Sequence, residues 1–158
     1  MLKFPFYDRD KVHQSWIDRN GHMNDSEYAR VFSLAIDAFH DQVGLTNEER
    51  DARAYTVFTL ETHISYLKEL KENQAFKVLV SIYNHDEKRT HFFLELFDEE
   101  TEELCATAET MMMGIDRISH KTAPFPEDIY RHIHAYYVSQ PEREWPKQLG
   151  HRIDIPKS

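Results

Sequence analysis

The sequence predicts an α+β domain in which an antiparallel sheet wraps around one long helix. Apolar residues between Asn24 and Val43 recur at steps of three and four, which is typical of an amphipathic helix with one buried face. Later segments alternate apolar and polar residues, or are rich in β-branched and aromatic residues, as strands are. Because these strands follow one another without helices between them, the pattern indicates α+β rather than α/β architecture.

The composition fits one soluble globular domain. The chain has 158 residues, of which 41% are hydrophobic and 30% charged. Its single cysteine, Cys105, excludes an intramolecular disulfide and favours a reducing cytoplasm. We expect no secretion signal, because Pro5 and charged residues interrupt the N-terminal segment MLKFPFYDRDKV. We expect no membrane helix, because no apolar run approaches the roughly 18 residues required. The net charge of −9 opposes binding to nucleic acid.

The first elements are a short strand and the long helix. The segment DKVHQSW, residues 10–16, is predicted to be the strand. Asn24 is the expected N-cap of the helix, with Glu27 in the position that completes a capping box. Gly44 is suited to the left-handed conformation that ends a helix.

A charged connection, TNEERDARA, is expected to lead into the second strand. That strand should place Phe58, Leu60, Ile64 and Tyr66 on one face, and Glu61, His63 and Ser65 on the other. Three more strands are predicted over 75–86, 89–100 and 104–116, followed by a short helix ending near Ser139. Prolines punctuate the remainder, so we expect residues 141–158 to form a surface tail.

One long helix can cover only one face of such a sheet. The other face, or an edge strand, then requires cover of its own. A second copy of the chain could provide this cover, so the pattern favours a homo-oligomer.

The segment IDRNGHMNDSEY, residues 17–28, holds the candidate catalytic residues. Asp18, Asn20 and His22 alternate, so an extended backbone would point all three the same way. Together they offer a base or nucleophile, an orienting amide and a proton carrier. The N–H groups of the helix start, at Asn24 and Asp25, could stabilise an oxyanion. A capped helix with a polar lead-in explains the same residues equally well.

Taken together, this segment, the helix and the four strands resemble the hotdog-fold thioesterases of the 4-hydroxybenzoyl-CoA thioesterase type. Members of that family open with an Asp-x-x-Gly segment before a long central helix. The Asp-x-Asn-x-His-x-Asn form is similar to the acyl-ACP thioesterases. The segments FTLETHISYLKEL, DEKRTHFFLELFD and APFPEDI resemble the thioesterases of carnitine breakdown that act on betainyl-CoA.

This resemblance implies a single hotdog thioesterase domain over residues 1–140 that hydrolyses a small acyl-CoA without a cofactor. Asp18 matches the family's catalytic carboxylate, which acts as nucleophile or as general base. Asn20 and His22 match the amide and imidazole of the acyl-ACP branch. The backbone N–H near Asp25 matches the group that polarises the thioester carbonyl. The family usually forms dimers, often assembled into tetramers, with the site at the interface.

Five further residues are candidates for substrate binding. Glu61 and His63 of a partner chain would complete the site, although a solvated strand face explains them as well. Lys88 and Arg89 lie at predicted strand ends, where they could hold the CoA phosphates or simply be solvated. Trp16 could form an aromatic wall for a quaternary ammonium group, or belong to the core. The same two interpretations apply to four other aromatic residues: Tyr55, Phe58, Tyr66 and Trp145.

No metal site is predicted, because the ten histidines are scattered and lack zinc-ligand spacing. Two other classes of function remain open on the sequence alone. One is a non-catalytic module that binds acyl-CoA on the same fold. The other is a hydratase or dehydratase, which fold analogy alone does not separate from a thioesterase.

Overall fold

In a computed structural model that describes residues 1–157, five antiparallel strands wrap one long helix, as predicted. The strands are β1 (Phe6–Lys11), β2 (Tyr55–Tyr66), β3 (Ala75–His85), β4 (Arg89–Asp98) and β5 (Leu104–Asp116). The helices are α1 (Asp25–Gln42), α2 (Asn47–Arg53) and α3 (Glu127–Ser139). The strand order β1-β3-β4-β5-β2 leaves β1 and β2 at the two edges of the sheet.

Helix α1 begins and ends close to the predicted residues, but its cap differs in detail. The side chain of Asn24 accepts a hydrogen bond from the N–H of Ser26 at 3.0 Å. The N–H of Asn24 is donated to the carbonyl of Trp16 at 2.8 Å, so Glu27 cannot complete the predicted capping box. At the other end, Gly44 takes the expected positive φ of 96°.

The predicted connection TNEERDARA is a helix, α2, and not a loop. Its N-cap is Thr46, whose hydroxyl accepts the N–H of Glu49 at 3.2 Å. Thr46 and Glu49 have the spacing of a capping box, which was the signal in the sequence for this helix. The helix has no apolar stripe that would indicate it in the sequence, because α2 buries none of its own side chains.

The first strand was predicted too late in the chain. Strand β1 comprises Phe6–Lys11, whereas Gln14–Trp16 form a short 3-10 turn. This turn is the start of the loop that carries the candidate catalytic residues.

Strand β2 contains a bulge that changes which side chains face the helix. Its partners on β5 step from Thr59 opposite Met112 to Glu61 opposite Met111, so Leu60 is an extra residue. As a result Phe58 lies on the opposite face from Ile64 and Tyr66, contrary to the simple alternation predicted. Phe58 and Leu60 are each 54% exposed.

The core lies between α1 and the concave face of the sheet. The apolar face of α1 packs on residues of β3, β4 and β5. His40 is fully buried in this core beside Phe39 and Phe92, and neither ring nitrogen has a hydrogen-bond partner. Within residues 1–157, no helix is both long and apolar enough to cross a membrane.

The C-terminal tail crosses the convex face of the sheet, which the helix leaves open. The side chain of Gln140 bonds both backbone groups of Ile82, at 2.7 and 2.8 Å. Arg143 forms a two-point ion pair with the buried Glu95, at 2.7 and 3.2 Å. Trp145 packs on Phe93. The tail therefore provides part of the cover that we expected from a second copy of the chain.

Candidate active site

The loop between the 3-10 turn and α1 is a tight turn organised by Asp18. The N–H of Asp18 bonds the carbonyl of His22 at 2.9 Å, and the N–H of Gly21 bonds the carbonyl of Asp18 at 3.1 Å. Gly21 has a φ of 79°, a left-handed conformation that glycine adopts without strain. One carboxylate oxygen of Asp18, Oδ1, accepts the N–H of Asn20 at 2.8 Å and that of His22 at 3.4 Å.

The second carboxylate oxygen of Asp18, Oδ2, has no hydrogen-bond partner among residues 1–157. The carboxylate therefore has two separable parts. One oxygen fixes the turn, and the other is open to a ligand.

His22 lies within ion-pair distance of an acidic residue of the segment between β2 and β3. Its Nε2 lies 2.9 Å from a carboxylate oxygen of Glu69. Both side chains are partly exposed, at 32% for His22 and 70% for Glu69. A carboxylate at this distance favours a protonated nitrogen on the side of the ring that faces it.

The start of α1 offers one unpaired backbone donor beside this turn. The N–H of Asn24 is taken by Trp16, and that of Ser26 by the Asn24 side chain. The N–H of Asp25 has no acceptor within the described residues. Two backbone N–H groups were predicted to bind an oxyanion, those of Asn24 and Asp25. Only the N–H of Asp25 is available to a ligand, because that of Asn24 already has an acceptor.

These groups line one cleft of about 550 Å³ between the loop, the start of α1 and the end of β2. Its lining comprises Asp18, Asn20, His22, Met23, Asp25, Tyr28, Tyr66, Leu67, Lys68 and Glu69. The structure brings Asp18, Asn20 and His22 to one cleft, but it does so through a tight turn and not through the extended backbone that the alternating spacing assumed.

The sequence-predicted substrate residues do not lie in this cleft of the same chain. Trp16 is 7% exposed and packs in the core near Phe76, with the guanidinium of Arg30 over its ring. The prediction of an aromatic wall at Trp16 therefore does not agree with its burial in the core.

Glu61 and His63 lie on the convex face of the sheet, as their position in the strand predicted. There they line a second cavity with His91, Glu109 and His151. In that cavity His91 Nε2 lies 2.7 Å from a carboxylate oxygen of Glu109. Within one chain, Glu61 and His63 thus belong to a different cavity from Asp18.

Lys88 and Arg89 lie at the turn between β3 and β4. The guanidinium of Arg89 is held by Asp86, at 2.6 and 2.8 Å. Neither residue lines the Asp18 cleft. A role for them in binding CoA would require another chain or a long ligand.

Sequence reasoning did not select Tyr28 and Glu69 as residues of the site. Tyr28 was taken only as part of the apolar stripe of α1, and Glu69 occurred only within the segment FTLETHISYLKEL. The signal for Glu69 was the run LKEL directly after β2, which carries charge into a position beside the loop.

No cluster of three or more potential metal ligands occurs among residues 1–157. The lining of the cleft consists of groups suited to acid–base chemistry and to binding a polar ligand.

Comparison with known proteins identifies the class. Residues 12–133 match the thioesterase-like superfamily, so the chain belongs to that family and is a thioester hydrolase of the hotdog fold. This assignment does not favour the non-catalytic alternative.

Two curated relatives have names that state a substrate. The chain is 32% identical over 141 residues to a betainyl-CoA thioesterase of Pseudomonas aeruginosa, a match that covers 89% of each chain. It is 31% identical over 143 residues to an L-carnitine dehydrogenase/betainyl-CoA thioesterase of Rhizobium meliloti. The second match covers 90% of this chain and 29% of the relative.

Solved structures give the same fold. A hypothetical protein of Staphylococcus aureus, solved in complex with CoA, superposes with a TM-score of 0.94 and 43% identity, covering 99% of this chain and 98% of that one. A 1,4-dihydroxy-2-naphthoyl-CoA thioesterase of Synechocystis has a TM-score of 0.75 at 17% identity, covering 82% and 96%. The second likeness concerns the fold alone.

Proposed function

We propose that this thioester hydrolase acts on a small acyl-CoA, with betainyl-CoA as the favoured substrate, and releases the free acid and CoA. The observation that carries the proposal is the open Oδ2 oxygen of Asp18 beside the unpaired N–H of Asp25 at the start of α1. The betainyl-CoA thioesterases among the relatives support the choice of acyl group. The relative solved with CoA supports CoA as the carrier.

In the proposed reaction, Asp18 takes a proton from water as the water oxygen attacks the thioester carbonyl carbon. The carbonyl electrons move onto oxygen, where the N–H of Asp25 and the helix dipole stabilise the negative charge. The carbon–sulfur bond then breaks. The CoA thiolate takes up the proton that Asp18 removed from water, either directly or by way of His22, which lies beside Glu69, and the Asp18 carboxylate is restored.

Asn20 would orient the attacking water, since its side chain lines the same cleft. A covalent route would use the same groups, with Asp18 attacking the carbonyl to form an anhydride that water then hydrolyses. Labelled water distinguishes the two routes, because only the covalent route places heavy oxygen in Asp18 after a single turnover.

A homodimer is part of this proposal. Strand β2 is a twelve-residue strand at the edge of the sheet, and its exposed residues include Phe58 and Leu60. Unpaired edges of this length and apolarity favour pairing with another strand. A second copy at this edge would bring Glu61, His63, Lys88 or Arg89 of one chain towards the cleft of the other. A dimer of two such dimers extends the same proposal.

A panel of acyl-CoA thioesters tests the proposed function. Release of free CoA is followed with a thiol reagent, and the panel includes betainyl-CoA, acetyl-CoA, a long-chain acyl-CoA and an aromatic acyl-CoA. The proposal predicts the highest kcat/KM for a small acyl group, with betainyl-CoA first. Hydrolysis of only long-chain or aromatic thioesters would contradict the substrate assignment, and no CoA release from any thioester would contradict the activity.

A further inference from the structure

Tyr66 is an aromatic residue of the sheet whose side chain is about half open to solvent. It is the last residue of β2, it lies on the helix side of the sheet, and it is 51% exposed. It also lines the cleft that contains Asp18. An aromatic ring with this exposure at a ligand cleft is available for contact with a bound group.

The ring of Tyr66 is held in place rather than free to rotate. It packs edge-on against Tyr28, with ring centroids 5.2 Å apart at an angle of 84°. Its hydroxyl donates to the backbone carbonyl of Asp25 at 3.2 Å. Tyr28 is itself buried, and its hydroxyl accepts the N–H of Leu70 at 3.2 Å. The two rings therefore form a preorganised aromatic wall beside the start of α1.

The charges around this wall are predominantly negative. Three carboxylates line the cleft, from Asp18, Asp25 and Glu69. The two cationic or basic residues of the lining already have acidic partners. Lys68 lies 2.5 Å from a carboxylate oxygen of Glu103, and His22 lies 2.9 Å from Glu69. The field in the cleft therefore favours a positively charged group.

The other aromatic residues named as candidates from the sequence lie elsewhere. Trp16 and Tyr55 are buried, at 7% and 5% exposure. Phe58 lies on the convex face of the sheet, next to the bulge. Trp145 belongs to the tail and packs on Phe93. Of those candidates only Tyr66 lines the Asp18 cleft.

We propose that Tyr66 is the residue that selects a cationic acyl group, by cation–π contact between its ring and a quaternary ammonium. Tyr28 positions the ring, and the carboxylates of the cleft add a favourable field. This inference rests on the proposed function, since the ammonium is part of the acyl group whose thioester Asp18 would attack. It assigns the specificity of the site to one side chain outside the Asp18–His22 loop.

The experiment compares two thioesters of the same shape. In 3,3-dimethylbutyryl-CoA a carbon atom replaces the quaternary nitrogen of betainyl-CoA, so the two acyl groups differ in charge but hardly in size. The ratio of their kcat/KM values measures selection for the cation. We expect the wild-type chain to favour betainyl-CoA, and Tyr66→Leu to reduce the ratio by roughly 2- to 30-fold, the range of one cation–π contact.

Two variants separate this role from a structural one. Tyr66→Phe keeps the ring and should retain most of the ratio. Tyr83→Leu removes another partly exposed strand tyrosine, 40% exposed and outside the cleft, and should leave the ratio unchanged. A merely structural role for Tyr66 would lower both rates together and leave the ratio as in the wild type, which would overturn the inference. A wild type that does not favour the cation would overturn it as well.

A binding measurement keeps the inference testable apart from the activity. The affinities of both thioesters are measured by calorimetry, in the wild type if it releases no CoA and otherwise in Asp18→Asn. Absence of turnover would sink the proposed function alone. Tyr66→Leu is then made in the same parent chain. A preference for the betainyl thioester that is lost on this substitution would still support the cation site. A ratio of the two affinities that is the same with and without the substitution would refute it.

Discussion

At the scale of single residues, the site is built on two functions of one carboxylate. Oδ1 of Asp18 holds the backbone of Asn20 and His22, and Oδ2 remains open in the cleft. The same residue therefore shapes the loop and is positioned for chemistry. The alternation of acid, amide and imidazole was visible in the sequence. The hydrogen bonds that close the turn were not, because they depend on the left-handed backbone of Gly21, and the approach of Glu69 to His22 was not visible because it joins residues far apart in the chain.

His40 gives a prediction at this scale about stability and pH. Burial, and secondarily the nearby Arg50, lowers the pKa of His40 to about 3 in the folded chain, against an ordinary value of 6.5. Below pH 6.5 the unfolded chain therefore binds the proton more readily than the folded chain. The free energy of unfolding should decrease as the pH falls from 6.5 towards 3, by up to about 1.4 kcal/mol per pH unit from this residue.

Urea unfolding of the His40→Leu variant at a series of pH values checks this prediction. The variant should be at least as stable as the wild type at pH 7, since it removes two buried nitrogens without partners. Its free energy of unfolding should also depend much less on pH below pH 6.5. The variant His151→Gln, which changes an exposed imidazole of the tail, should keep the dependence. An unchanged slope in His40→Leu would show that other groups govern acid unfolding.

At the scale of elements, long periodic segments were predictable and local irregularities were not. Helix α1 and strands β3, β4 and β5 follow from hydrophobic periodicity, since each buries one or both faces. Helix α2 was missed because it buries no side chain and therefore has no apolar stripe to detect. The bulge at Leu60 was missed because alternation cannot reveal an extra residue opposite β5.

The tail gives a prediction at this scale. The side chain of Glu95 is 5% exposed and that of Arg143 is 27% exposed, so removing the guanidinium leaves a buried carboxylate without its partner. Such losses cost about 3–5 kcal/mol when both partners are buried, and we expect about 2–3 kcal/mol for Arg143→Ala because this pair is partly solvated.

Chemical denaturation of Arg143→Ala and of a control variant measures this cost. Arg9→Ala removes an ion pair with Glu99 in which the two side chains are 56% and 32% exposed. It should cost less than about 1 kcal/mol. Equal effects of the two substitutions would mean that the tail does not depend on the buried pair.

At the scale of the whole molecule, the sheet has one face covered by a helix, one face covered in part by the tail, and a long open edge at β2. Helix α1 covers the concave face and the tail covers part of the convex face. The outer edge of β2, opposite the edge that pairs with β5, therefore remains the long unpaired edge of the sheet. The sequence indicated that some surface required cover, but it could not show that the tail would supply part of it. The contacts of Arg143 and Trp145 join positions about 50 residues apart in the chain, which local patterns do not reveal.

The open edge predicts a dimer that one substitution disrupts. The wild type should have a mass in solution of twice 18.9 kDa, about 38 kDa, or a multiple of it. Leu60→Lys places a charge on the exposed edge, which edge strands use to prevent pairing, and should shift the mass towards the monomer. Light scattering after size-exclusion chromatography measures both.

Ile118→Lys is the matched control for this edge, because Ile118 is 80% exposed in the turn after β5. It should leave the mass unchanged. A monomeric wild type, or equal effects of the two lysine substitutions, would argue against pairing along β2.

The central claim is that Asp18 carries out thioester hydrolysis, and Asp18→Asn tests it most directly. Asparagine keeps the Oδ1 acceptor that holds the turn, so the variant should fold with an unchanged melting temperature while losing the charged base or nucleophile. We predict a reduction in kcat for betainyl-CoA of roughly 10²- to 10⁴-fold, measured as release of free CoA. A folded Asp18→Asn chain that retains the wild-type kcat would contradict the account.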